Sequence, residues 1–340
     1  MSVEPRLALN LAGDRLAALP LAIVYVTDRC NSRCVTCDYW QYGQTNLPVA
    51  QAHRLAPELR ALGTQVVLLS GGEPLVHPHW AEVAQALREV GLRLWLLTAG
   101  LSLSRHVEEV AALCERVTIS LDGATRETYK AIRGVDGFEA VCGGIRAVVA
   151  RGLPVTLRVT VQRGNYRELP QLVRLARELG VAQISFLAVD VSTHVAFARA
   201  EDYQRTMALG PDDLPAFAAA LDTLEHELAA EFNSGFIAER PAKLRRLHQY
   251  FAALLGQGTF PPVRCNAPRF SAVIGADGHL QPCYFIDGAT KLDGQALEAA
   301  LNPPAMTALR RDIRTGRRAE CKTCVCSMYR SPRQLVVGNW

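Results

Sequence analysis

Three cysteines fall within eight residues, Cys30, Cys34 and Cys37, in the stretch CNSRCVTC. Thiolates are soft ligands suited to zinc or to iron–sulfur clusters, and so short a loop can wrap all three round one group. Three ligands rather than four leave one iron of a cluster open to a substrate or cofactor. A zinc knuckle that borrows a fourth ligand such as Asp38 uses the same spacing, as do three unligated thiols. Five more cysteines lie late, at Cys265, Cys283, Cys321, Cys324 and Cys326. Cys265, Gly278 and Cys283 give C-x12-G-x4-C, and Cys321 with Cys324 gives C-x2-C. A hairpin plus such a knuckle gathers four thiolates, enough to close the coordination of zinc or of an iron–sulfur cluster.

Between these groups stands the turn Gly71-Gly72-Glu73-Pro74. Two glycines let backbone approach a ligand closely, and a glutamate accepts hydrogen bonds from an ammonium group. Alone, the same four residues also make an ordinary turn. Arg158 sits among apolar residues and needs a partner, either a ligand carboxylate or an ion pair with Asp122 or Glu73. Cys114 and Cys142 lie in helical patterns and read as core. His194, past the last strand of the alternating region, is assigned to substrate contact.

The elements that must position these residues alternate. Residues 21–26, 65–69, 92–97, 116–121, 155–161 and 183–189 read as strands, and amphipathic segments at 49–62, 79–90, 103–114, 137–151 and 168–179 read as crossover helices. Such alternation makes an α/β fold with a parallel sheet, and the apolar strand interiors point to cover on both faces. Helical patterns at 211–228 and 242–255 form a connection. A hairpin follows, 270–274 and 279–285, with Cys283 on its second strand. A helix over 295–315 then leads to the last cysteines.

The chain has 340 residues, 49% apolar and 21% charged, with 37 Lys and Arg against 33 Asp and Glu, so neither a fibre nor a disordered tail fits. A net charge of +4 is too weak at this length to point to nucleic acid or a membrane surface. No apolar run approaches the roughly 20 residues of a membrane span, and the start lacks a signal peptide's basic region, which predicts a cytoplasmic protein. Ten cysteines in such a chain predict metal or redox chemistry rather than disulfides.

The cysteine loop after the first strand and the GGE after the second resemble the radical S-adenosylmethionine (SAM) enzyme superfamily over about residues 20–190. The resemblance implies a partial (β/α)6 barrel in which Cys30, Cys34 and Cys37 hold a 4Fe–4S cluster whose open iron binds SAM. Gly71, Gly72, Glu73 and Pro74 are then the turn at the methionyl ammonium, Ser120 and Asp122 the contacts to the ribose, and Arg158 a partner for the SAM carboxylate. Many members carry an aromatic residue where Thr36 stands, with Tyr39 or Trp40 as the substitutes here. The late cysteines resemble the twitch form of the SPASM subgroup, an α+β domain with one auxiliary 4Fe–4S cluster on Cys265, Cys283, Cys321 and Cys324. Cys326 is a replacement ligand or free.

The domains implied are a radical SAM core at 1–195, its first 18 or so residues an N-terminal extension, a helical connection at 196–258 and an auxiliary-cluster domain at 259–340. The activity implied is reductive cleavage of SAM and hydrogen abstraction by a 5′-deoxyadenosyl radical, with oxidation of a small molecule and the auxiliary cluster as electron acceptor. A flavodoxin or ferredoxin is the implied electron donor. Peptide maturation and epimerisation are the alternatives within the superfamily, with Cys142 as a hydrogen donor in the latter. A zinc-binding scaffold without turnover is the alternative outside it, against which the placement of the GGE turn argues.

Overall fold

A computed structural model describes residues 3–193, 195–197 and 204–337. Its strands are β1 (Leu21–Thr27), β2 (Val66–Gly71), β3 (Arg93–Thr98), β4 (Arg116–Ser120), β5 (Val155–Val161), β6 (Gln183–Ala188), β7 (Ser271–Ile274), β8 (His279–Gln281) and β9 (Thr290–Lys291). All nine belong to one sheet in the order β6-β5-β4-β3-β2-β1-β7-β8-β9. From β1 to β6 each strand pairs in parallel with the next in sequence. The links carry helices Val49–Ala61, Trp80–Glu89, Val107–Leu113, Phe138–Ala150 and Leu169–Glu178. Because βαβ crossovers are right-handed, a sequential strand order puts every one of these helices on the same side. This is the expected partial (β/α)6 barrel.

That geometry corrects the expectation of apolar cover on both strand faces. Leu94, Leu96, Val117, Ile119, Leu157 and Val159 are fully buried with helix residues such as Val83, Leu87, Val110 and Ile145 in the main core. Their alternates Trp95, Leu97, Thr118, Ser120, Arg158 and Thr160 are only half-buried. Successive side chains on a strand point to opposite faces, so these alternates line the concave side, where no crossover helix lies. A small separate cluster sits on that side, Ile23, Tyr25 and Val273 packed with Leu68, Tyr39 and Tyr284.

Beyond β6, helices Asp213–Glu227 and Pro241–Leu254 pack through Phe217, Leu221 and Phe251 onto the main core. The chain then returns to the free edge of β1, where β7 pairs in parallel from Leu21↔Ser271 to Val24↔Ile274. The hairpin is therefore an extension of the barrel sheet. Its second strand stops at Gln281, so Cys283 lies beyond the strand rather than on it, because Pro282 has no N–H to continue the ladder. The helix expected over 295–315 is two, Leu297–Leu301 and Pro304–Arg314, broken where Pro303 and Pro304 exclude a continuous helix. The N-terminal helix Val3–Ala12 lays Leu7 against Phe270 and Leu335. Among the described residues no helix is long and apolar enough to cross a membrane.

The loop following β1 is stitched to the end of helix Arg126–Arg133, with Arg33 N donating to Arg133 O (3.0 Å) and Val35 N to Ile132 O (3.0 Å). Gly134 ends that helix at φ +69°, and a Cβ there would lie 2.0 Å from Arg33 O. Both the left-handed backbone and the close approach demand glycine. Gly134→Ala is therefore expected to lower stability by about 1–3 kcal/mol, read as a lower urea midpoint at unchanged slope. An unchanged midpoint contradicts this packing.

Candidate metal and cofactor site

Cys30, Cys34 and Cys37 sit at the C-terminal end of β1 as free, half-buried thiols. Their loop is fixed by the exit of β2, since Gly72 N donates to Thr27 O (2.8 Å) and Glu73 N to Arg29 O (2.8 Å). A Cβ on Gly71 would lie 2.0 Å from Thr27 O, and one on Gly72 2.3 Å from Arg29 O. The two glycines thus serve a backbone-to-backbone contact with the cysteine loop, where the sequence suggested clearance for a ligand. Glu73 is fully buried. Its Oε1 accepts from Leu75 N (3.0 Å) and Thr98 Oγ1 (2.7 Å), and its Oε2 from Ala99 N (2.5 Å). Burial pushes the carboxyl up from its ordinary pKa, against the pull of these bonds. The carboxylate therefore ties β2, β3 and the turn together. Pro74 is buried and opens the next turn.

Asp122 is likewise engaged. Its Oδ2 accepts from Arg133 Nη1 (3.0 Å) and its Oδ1 from Thr160 N (2.7 Å). Burial raises its pKa while the Arg133 charge works against that shift. Asp122, expected at the ribose, also anchors the guanidinium of Arg133, a residue to which the sequence assigned no role of its own. Arg133 is buried, and its Nε has no hydrogen-bond partner. Burial opposes its charge, yet the neighbours Cys34, Asp122, Tyr129 and Cys30 more than offset this. A buried donor without a partner, beside two of the three thiols, is where an acceptor belongs. The one sequence signal was a charged residue beside the core-facing Ile132 just before the helix-ending Gly134.

The bonds of Asp122 go to Arg133 and Thr160, and those of Glu73 to Leu75, Thr98 and Ala99, rather than to Arg158. Ser120 and Arg158 are register partners on the concave face. On the same face Tyr25 pairs with Ser70 across β1 and β2. The Tyr25 ring meets Tyr39 edge-on (6.3 Å between centroids) and stacks with Tyr284 (6.5 Å). Burial pushes the Tyr25 phenol well up, helped by Tyr39, Tyr284, Cys37 and Cys283. Tyr25 thus feels a cysteine from each group, a bridge that no sequence spacing announced. Trp40, in contrast, is exposed.

All five late cysteines line one cavity, walled by Ile23, Tyr284, Phe285 and Met328 among others. The segment carrying the last of them is stapled to the first, with Asn266 N donating to Met328 O (3.0 Å) and Asn266 Nδ2 to Arg330 O (2.8 Å). Burial pushes Cys283 up to about 12 and Cys321 up to about 11, with Cys265 adding to both. Cys324 is raised by burial and then by Cys326. Cys326 is the exposed member of the group. Among the described residues no three Cys, His, Asp or Glu side chains converge on a single metal-ion position. A four-iron cluster takes one thiolate at each iron, so a shared cavity of soft ligands suffices. Both cysteine groups fit such a cluster in donor type.

The segment after β6 reaches across this side at two points, with Asp38 N donating to Phe197 O (2.9 Å) and Thr323 Oγ1 to Ser192 Oγ (3.1 Å). His194 lies outside the described residues. Cys114 and Cys142 are buried in the main core, and Cys142 belongs to helix Phe138–Ala150 on the convex side, which removes it as a hydrogen donor to the concave face.

The Radical SAM superfamily model matches residues 24–176. The AdoMet-dependent heme synthase of Methanosarcina barkeri is 34% identical over 194 residues, 54% of this chain and 55% of its own. The GTP 3′,8-cyclase 1 of Mycobacterium tuberculosis is 34% identical over 190 residues, 51% of this chain and 53% of its own. The chain thus spans about half the length of the curated relatives it matches. Among solved structures, Streptococcus suis SuiB bound to S-adenosylmethionine shares the fold over 96% of this chain and 78% of its own, with a TM-score of 0.67 and 15% identity. Native anSMEcpe with bound AdoMet does so over 85% and 82%, with a TM-score of 0.62 and 18% identity.

Burial holds Cys30 and Cys142 up to about 11 and Cys114 up to about 12, above the ordinary thiol value of 9.0. A raised thiol pKa means the folded chain keeps protons that the unfolded chain has lost, so its stabilising contribution is whole below about pH 9 and falls as pH rises toward 11 to 12. The metal-free protein should accordingly show a urea midpoint that drops steadily from about pH 8.5 to about pH 11. A flat profile would show that these thiols are not desolvated.

Proposed function

The chain carries a radical SAM domain over residues 24–176, and from that premise we propose that it oxidises a small molecule by hydrogen abstraction. Cys30, Cys34 and Cys37 hold a 4Fe–4S cluster with SAM against it, and Cys265, Cys283, Cys321 and Cys324 hold an auxiliary 4Fe–4S cluster. When bound, these groups supply a 5′-deoxyadenosyl radical that takes a hydrogen atom from substrate, together with a one-electron acceptor. The observation that carries the reading is the cavity lined by all five late cysteines and by Ile23 of β1, the strand that leads into the first cysteine loop, with the Tyr25 ring meeting Tyr39 two residues past Cys37 and stacking on Tyr284 beside Cys283.

The chain's own residues do the positioning. Arg133, anchored by Asp122, offers its free Nε edge to the carboxylate of SAM, the role expected of Arg158 from the sequence. The Gly71-Gly72-Glu73-Pro74 turn would hold the ammonium, and Ser120 would meet the ribose. Tyr25, Tyr39 and Tyr284 fill the floor between the cysteine groups and keep water out. A flavodoxin or ferredoxin is the electron donor in this reading.

Anaerobic reconstitution tests it. About eight irons per chain are expected, with 5′-deoxyadenosine formed when dithionite and SAM are added. About four irons with one zinc would remove the auxiliary cluster and the oxidative outcome. Absence of 5′-deoxyadenosine would overturn the reading. Arg133→Gln should weaken SAM binding about ten- to a hundredfold while the iron content holds, and equilibrium dialysis with labelled SAM reads this directly.

A further inference from the structure

Among the described residues four buried side-chain polar atoms lack a hydrogen-bond partner, Ser32 Oγ, Tyr129 OH, Arg133 Nε and Arg310 Nε. Arg133 Nε is given to SAM in the reading above, and Tyr129 stands one turn before it on the same helix. Arg310 belongs to the helix Pro304–Arg314. Of the four, Ser32 alone lies inside the three-cysteine loop, two residues after Cys30 and two before Cys34. It is 1% exposed, although its chain neighbours Asn31 and Arg33 are both exposed. A hydroxyl so enclosed has given up its water, and that loss is unfavourable until an acceptor replaces it.

The N–H groups of the loop divide by what they meet. Arg33 N and Val35 N donate to carbonyls at the end of helix Arg126–Arg133, each at 3.0 Å, and Cys37 N donates to Cys34 O (3.2 Å). Ser32 N donates instead to a ligand sulfur, Cys30 Sγ, at 3.4 Å. Burial raises the Cys34 thiol from its ordinary pKa, and the Ser32 hydroxyl is among the groups that act against that shift. One residue thus brings a main-chain donor and a side-chain donor to the thiols of the loop. An added electron makes a cluster more negative, so a donor on one of its sulfurs stabilises the reduced form and raises the potential. We propose that the Ser32 hydroxyl hydrogen-bonds a sulfur of the 4Fe–4S cluster held by Cys30, Cys34 and Cys37, and so eases the uptake of an electron by that cluster. The inference rests on the functional reading above and adds to it the residue that tunes the potential.

The test is an EPR-monitored redox titration of the anaerobically reconstituted protein without SAM. The signal missing from Cys34→Ser identifies the first cluster, and the auxiliary cluster serves as internal control. Ser32→Ala should move the electron equilibrium of the first cluster about tenfold against reduction, a potential about 59 mV more negative. Iron content and the auxiliary potential should stay as in the parent. Ser32→Thr, which keeps the hydroxyl, should remain within threefold of the parent, and a threonine variant that shifts as alanine does overturns the proposal. A merely structural serine would leave the potential unmoved, and water entering in its place would move the potential upward. Either result overturns the proposal. Loss of iron in Ser32→Ala overturns it by making the serine a builder of the loop. A tenfold loss of SAM affinity at an unmoved potential overturns it by giving the hydroxyl to SAM. An unmoved potential in a protein that still cleaves SAM sinks this inference alone, whereas a parent without an iron–sulfur signal sinks the functional reading with it.

Discussion

Everything at the site depends on the sequential order of six parallel strands. Right-handed crossovers then have one side of the sheet to occupy, and they fill it with helices. The period of two along each strand divides every strand between a helix-packed face and a concave one. Leu157 and Val159 belong to the first, while Arg158 and Thr160, their immediate neighbours, belong to the second. A charge in the middle of an apolar strand is thereby placed in a cavity without breaking the core.

The second constraint is local. A loop of three thiols has no core of its own, so its shape comes from hydrogen bonds to its flanks. The exit of β2 grips one side through Gly72 and Glu73, and the end of helix Arg126–Arg133 grips the other through Arg133 and Ile132. The same helix end delivers the Arg133 side chain, which Asp122 holds from below at 3.0 Å. Breaking one partner of such a buried pair leaves an uncompensated charge, which is worse than never having had the pair. Loop shape and charge placement are therefore a single arrangement.

The return of the chain to the edge of β1 joins the two cysteine groups. Because β7 pairs directly with β1, Cys265 precedes, and Cys283 follows, strands that share a sheet with the cysteine loop. Tyr25 on β1 and Tyr284 after Pro282 then stack across the junction. Had the hairpin formed an independent sheet, no side chain of β1 would lie between the groups.

The sequence alone carried the three-thiol loop, the late cysteine spacing, the six strands and their parallel order, because these are written in residue type and in local period. Residue type also marked Arg158 as needing a partner, Cys114 as core, and the GGEP stretch as important. It did not show that Glu73 caps its own turn and holds β3, since a carboxylate that does so and one that meets a ligand look the same in a string of letters. Cys283 and the 295–315 helix are misplaced when Pro282, Pro303 and Pro304 receive too little weight, although that signal is present in the sequence. The pairing of Asp122 with Arg133, the stacking of Tyr25 on Tyr284, the gathering of five late thiols in one cavity and the placement of Arg158 beside Ser120 were decided only in three dimensions. Each depends on which strands become neighbours and which face a side chain takes, and those are properties of the assembled sheet rather than of any segment within it.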